Sequence, residues 1–197
     1  GITYGALTMS DKLVYEHLKQ FTSTEGYWST TDCITVAKDL VEITNAKTML
    51  EIGFNIGYSA AIWLELGVED LIALDIGYHM DTLPAIKATA NHYNTKKVAW
   101  WIGDSTSEEA KELDMPKIDA AFIDGEHSYR AAKSDSLLSI DYGADWLIYD
   151  DCDGIPMLKV GNEWDKLPEF LDASDELKNI YFSFYIIILI ALPKTMR

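Results

Sequence analysis

Short, unbroken apolar runs recur along the middle of this chain, at 48–52, 71–76, 97–102, 118–124 and 145–149. Runs of this length without polar alternation are the pattern of parallel strands buried on both faces. Between them lie stretches with helical spacing of apolar positions, at 58–66, 80–93, 106–113, 127–140 and 156–171. Strand and helix in strict alternation predict an α/β fold with helices on both faces of the sheet and right-handed crossovers. Ligands of such folds bind outside the carboxyl ends of the strands.

The two ends read differently. Two helices are predicted ahead of the first strand, Asp11 to Phe21 and Thr31 to Thr44. In the second, Ile34, Ala37, Leu40 and Val41 share a face, and Thr31 or Asp32 is the expected N-cap. The tail from Leu177 to Leu192 is β-rich with no helical pattern inside it, so two adjacent strands there require an antiparallel pair. Its apolar run, Phe184 to Leu192, is far shorter than the roughly 20 residues of a membrane span. The expected organisation is an N-terminal helical cap at 1–45 on a main domain at 46–197, one globular unit overall.

Composition narrows the partners. Of 197 residues, 48% are apolar and 24% charged, which is globular. The net charge of −16 repels polyanions, so nucleic acid and an anionic membrane surface are not expected partners. The two cysteines, Cys33 and Cys152, form no CxxC pair and read as free thiols of a reducing, cytoplasmic compartment.

The chemistry begins at Glu51-Ile52-Gly53-Phe54-Asn55-Ile56-Gly57-Tyr58-Ser59, where a strand ends in a glycine turn and a helix begins. A dinucleotide site usually reads G-x-G-x-x-G, with room for a pyrophosphate. Here Asn55 and Tyr58 stand where the second and third glycines would be, and the pattern is E-x-G-x-x-x-G. Such a turn suits a nucleoside without phosphates, whose amino-acid tail lies against backbone N–H groups; S-adenosylmethionine (SAM) is such a ligand. Asp75, with Ile76 behind it, ends the second strand and suits the ribose hydroxyls. Gly103-Asp104-Ser105 ends the third, where Asp104 can accept from the adenine amino group, cap a helix at 106–113, or do both. An NAD-linked oxidoreductase and a non-catalytic binding protein are the competing readings.

Acids also end the fourth and fifth runs, Asp124 in one and Asp150-Asp151 in the other. Neighbouring parallel strands lie about 4.8 Å apart, so these carboxylates can converge, and a hard divalent cation such as Mg²⁺, Ca²⁺ or Mn²⁺ would relieve their repulsion. Asp153 is either a further ligand or part of a solvated turn.

With Asp75, Gly103-Asp104 and Asp124-Gly125-Glu126-His127-Ser128-Tyr129 beside the glycine turn, the chain resembles class I SAM-dependent methyltransferases. More narrowly, it resembles small-molecule O-methyltransferases with a D-G-x-H-S-Y motif, including the macrolide-sugar type. The resemblance covers about 46–155 well. It implies a Rossmann-like, mostly parallel seven-stranded sheet whose last strand is antiparallel. It also implies a metal held by Asp124, Asp150 and Asp151, a general base at His127, and a small hydroxylated substrate. Under it, Glu51, Gly53, Asn55, Gly57, Tyr58, Ser59, Asp75, Ile76, Gly103, Asp104, Ser105 and Asp124 fall on the cofactor side. The chain departs from the family at Tyr142-Gly143-Ala144-Asp145, which lacks the customary Pro-Gly-Gly before strand five. His17, His79 and His92 carry no motif and read as surface or satisfied structural residues, Tyr27-Trp28 as core packing or a cover for the cofactor, and Trp100-Trp101 as split between two buried faces. No insertion domain is visible, so a possible homo-oligomer would complete an otherwise open site.

Overall fold

The computed structural model describes residues 11–150, and the strands at 178–182 and 187–191 through their backbone pairing. Five parallel strands form the body: β1 (Thr48–Ile52), β2 (Asp70–Asp75), β3 (Lys97–Ile102), β4 (Ala120–Ile123) and β5 (Trp146–Tyr149). Helices α1 (Thr31–Thr44), α2 (Tyr58–Glu65), α3 (Thr82–His92), α4 (Glu108–Lys111) and α5 (Tyr129–Asp141) precede or join them. Beyond β5 lie β6 (Lys178–Phe182) and β7 (Ile187–Ala191), giving the order β3-β2-β1-β4-β5-β7-β6. β7 runs antiparallel to both β5 and β6. The order reverses direction at β1, so the clefts open beside its carboxyl end and that of β4.

Alternate residues of each central strand feed opposite faces. Met49, Leu71, Ala73, Phe122 and Ile148 join α1, α2 and α3 in one core. Leu50, Ile52, Ile72, Leu74, Ile123 and Leu147 join α4 and α5 in the other. The helices therefore sit on both faces, as the alternation requires.

Several expectations need correction. Asp11 to Phe21 is not a helix. Leu13 N–H donates to the Ser29 carbonyl and Thr31 N–H to the Asp11 carbonyl, around a bridge between Lys12 and Thr30. A single turn follows, and Leu13 and Leu18 are its buried anchors. Helix α1 has the predicted span, but its N-cap position is Thr30 and its buried face is Cys33, Val36, Ala37, Leu40 and Thr44, with Ile34 and Val41 at the margin. The 106–113 helix shrinks to one turn capped by Ser107, whose hydroxyl accepts from Ala110 N–H. β3 is the sheet edge rather than a strand buried on both faces: Trp100 is 40% exposed, while Trp101 packs on the α4/α5 core. The predicted helix at 156–171 lies outside the described residues.

Candidate active site

Ladder hydrogen bonds bring the strand ends to one level. Gly53 N–H donates to Leu74, Gly103 N–H to Asp75, Asp124 N–H to Ile52 and Asp150 N–H to Ile123. The glycine at the head of the first turn is demanded by this convergence. Gly53 has φ +92°, and a Cβ there would lie 2.1 Å from the Asp124 carbonyl oxygen. Only a residue without a side chain lets the β1 and β4 turns touch.

A cavity of about 400 Å³ opens at these ends, lined by Gly53, Asp75, Ile76, Gly103, Ser105 and Gly125 among others. Its size falls within the roughly 300–1,000 Å³ of small-molecule sites. Asp75 is buried, and its two oxygens accept from Asn55 N–H (2.9 Å) and Gly77 N–H (2.7 Å). The acid thus clamps the β1–α2 turn to the β2–α3 turn while facing the cavity. Asn55 sits in the left-handed region at φ 54°, and its Oδ1 is buried without a hydrogen-bond partner.

Other predicted residues stand back from the cavity. Glu51 is fully buried in β1 and accepts from the Ser59 hydroxyl, while its Oε2 has no partner. Burial holds its carboxyl well above the usual carboxylate range, and Asp124, Asp75 and Asp150 add to the effect. Gly57 is the N-cap position of α2, and Tyr58 packs between Tyr15 and Tyr27. Asp104 accepts from the backbone and hydroxyl of Thr106, which hold its carboxyl below the usual range; it is a turn residue rather than the cap of α4.

A smaller cavity, about 230 Å³, lies on the other side of the β4 turn: Gly125 lines the first, Asp124 the second. Gly26 to Thr30, Cys33 and Asp150 complete it. His127 lies just ahead of the α5 N-cap, Ser128, with Nε2 3.1 Å from Asp124 Oδ1. Asp150 is buried and accepts from the indole N–H of Trp28 at 2.7 Å. Trp28 packs against Trp63 and Phe122, so Tyr27-Trp28 is core and site wall at once. Asp151 and Asp153 lie outside the described residues, within which no group of three or more potential metal ligands forms.

Three features escaped the sequence reading. Glu25, Tyr78 and His79 line the larger cavity, with His79 Nε2 3.0 Å from Glu25, so His79 is a site-edge residue. The segment 22–26 is stitched across by Thr22 N–H to Asp81 and Asn55 Nδ2 to the Gly26 carbonyl. Asp135 of α5, 1% exposed, accepts from the Ser105 hydroxyl at 2.7 Å, and burial lifts its carboxyl to about 6. None of these pairings has a local signal, since each joins residues about 30 or more positions apart. His17 is not satisfied either: it stacks on His92 at 4.1 Å and its Nε2 is buried without a hydrogen-bond partner.

The electrostatics are one-sided. Glu25, Asp75 and Glu126 line the larger cavity, with His79 as the basic group, and no lysine or arginine lines either cavity among the described residues. A pyrophosphate would meet repulsion here; a sulfonium or ammonium would not.

Residues 50–152, more than half of the 197, match the family described as methyltransferase domain. The chain belongs to that family. The methyltransferase fold is shared with solved structures of low identity. TomG from Streptomyces achromogenes, an O-methyltransferase involved in tomaymycin synthesis and solved with SAM, superposes with a TM-score of 0.63 at 14% identity, covering 92% of this chain and 91% of that one. A putative O-methyltransferase from Klebsiella pneumoniae gives 0.61 at 16%, covering 85% and 83%. The O-methyltransferase of Bacillus cereus, solved with the demethylated product SAH, gives 0.60 at 16%, covering 86% and 84%. No curated protein matches the methyltransferase. Among its described residues no helix is long and apolar enough to cross a membrane.

Proposed function

We propose that the protein transfers the methyl group of SAM to a hydroxyl oxygen of a small molecule. The observation that carries this reading is the pair of cavities at the strand ends, the larger walled by acids and free of lysine and arginine among the described residues, the smaller lined by Asp124, whose carboxylate holds the His127 ring. The larger cavity suits a cationic nucleoside whose ribose meets Asp75, and Gly53 and Asn55 offer their turn to the amino-acid end. Strand order β3-β2-β1-β4-β5-β7-β6, with β7 antiparallel, supports the seven-stranded form of the family, with residues 1–45 as its cap.

The reaction is an in-line displacement. The acceptor oxygen bonds to the methyl carbon, the carbon–sulfur bond breaks with its electron pair passing to sulfur, and the hydroxyl proton goes to His127. Asp124 holds the imidazole and stabilises its protonated form. Holding donor and acceptor in line in a desolvated cleft supplies most of the acceleration. The oxygen donors of Asp124 and Asp150 on the smaller cavity fit a hard divalent ion, which Asp151, next in the chain, would help to hold. Mg²⁺ there would acidify the acceptor hydroxyl.

Calorimetric titration should show binding of SAM and SAH and none of NAD; the reverse order would overturn the reading. With SAM bound, His127→Ala should lower turnover by about 10²–10⁴-fold, and unchanged turnover would remove His127 as base.

A further inference from the structure

Strand β3 ends the sheet, and among the described residues nothing pairs with its outer side. Lys97 N–H donates to the Glu69 carbonyl and Gly103 N–H to the Asp75 carbonyl, so the odd-numbered residues of this stretch turn their backbone groups toward β2. Val98, Trp100 and Ile102 therefore point their N–H and C=O groups outward. Their side chains share one face of the strand. Val98 packs against the core under α1, α2 and α3, while Trp101 packs against the opposite one. On the Val98 face, Trp100 is 40% and Ile102 38% exposed. Edge strands that stay single are blunted by a charge, a proline or a bulge. The run Val98–Ile102 holds no charge and no proline, and its register with β2 is unbroken.

We infer that this edge is taken by the β3 strand of a second copy, running antiparallel about a twofold axis at Trp100. Outward backbone groups must meet outward backbone groups, so even-numbered residues pair with even-numbered ones. An axis at Trp100 pairs the whole of 98–102: Trp100 meets its own copy, and Val98 meets Ile102 on either side. Apolar side chains then face apolar side chains across the junction, with an aromatic pair at its centre. The ends match in charge. Lys97, whose side chain is 83% exposed, comes level with Gly103 of the other copy, next to the exposed carboxylate of Asp104, and the symmetry makes this contact twice. The strand is complementary to itself in backbone, apolar side chains and charge, which is the requirement of a twofold interface and the reason the occupant is a second copy. The two sheets join into one continuous sheet.

Sedimentation velocity of the 197-residue chain tests this. At about 20 μM it should sediment as a dimer. Trp100→Lys sets two ammonium groups against each other at the axis and should weaken the dimer at least about 30-fold. Its Tm should stay close to the parent's, because Trp100 is part-exposed. Trp100→Cys reads the register even if the lysine variant folds poorly. Residues of a hydrogen-bonded antiparallel pair have Cα atoms about 5.5 Å apart, within reach of a disulfide. Mild oxidation should therefore give a covalent dimer of Trp100→Cys, and none of Lys97→Cys or of the parent, whose own cysteines are Cys33 and Cys152. A monomeric parent, growth beyond a dimer, a dimer unmoved by Trp100→Lys, or failure of Trp100→Cys to cross-link more readily than Lys97→Cys would each overturn the inference.

Discussion

Asp135→Asn probes the buried acid under the larger cavity. Raising a carboxyl from 3.8 to about 6 penalises its ionised form by roughly 3 kcal/mol, and Asp135 is 1% exposed, so solvent does little to soften this. Burial is the main cause; Asp104 and Glu126 add to it, and the Ser105 hydrogen bond opposes it. Because the folded pKa is raised, the folded protein binds the extra proton between about pH 4 and 6. Stability from this group is therefore full below about pH 4 and is lost as pH rises through about 6. The asparagine amide oxygen still accepts from Ser105 and never ionises. At pH 8 the variant should be more stable than the parent by about 1–3 kcal/mol, a rise of several degrees in Tm, while at pH 4 the two should coincide. His17 works the other way. Burial, with His92, lowers its pKa to about 4, so its stability is present above about pH 6.5 and is lost as pH falls toward 4. The two slopes mask each other in the parent, but His17 is common to both proteins and cancels in the difference. The assay is urea denaturation of both from pH 4 to 8. A difference curve flat across pH 4–6 would refute an ionised, penalised Asp135.

Two further outcomes follow from contacts at the site. Gly53→Ala places a methyl 2.1 Å from the Asp124 carbonyl oxygen at φ +92°; it should cost at least about 2 kcal/mol of stability and at least 10-fold in SAM affinity, read by denaturation and calorimetry. Trp28→Phe keeps a ring against Trp63 and Phe122 but leaves Asp150 without the indole donor, and should cost about 1–3 kcal/mol by the same denaturation assay.

The central strands and α1, α2, α3 and α5 were legible because apolar period and run length are local properties of the chain, and burial on both faces leaves an unbroken run. The same run misplaced β3, since an edge strand such as Lys97–Ile102 can be as apolar as a central one. The stretch from Asp11 to Phe21 was expected to be a helix that the chain does not form, because backbone pairing of residues 11–13 with 29–31 competes successfully for it. Gly53, Asp75, Gly103 and Asp124 were legible as strand-end residues, and the ladder carries them to one edge.

What sequence alone determined, then, is the alternation of strand and helix, the strand-end edge, and the acids and glycines that stand there. Only the tertiary structure decided which of them face a cavity. It set Glu51 and Tyr58 back into the core, brought Trp28 122 positions along the chain to Asp150, and placed Glu25 against His79. The physical reason is that strand order and the path of the N-terminal segment depend on contacts between distant residues, which no local periodicity records.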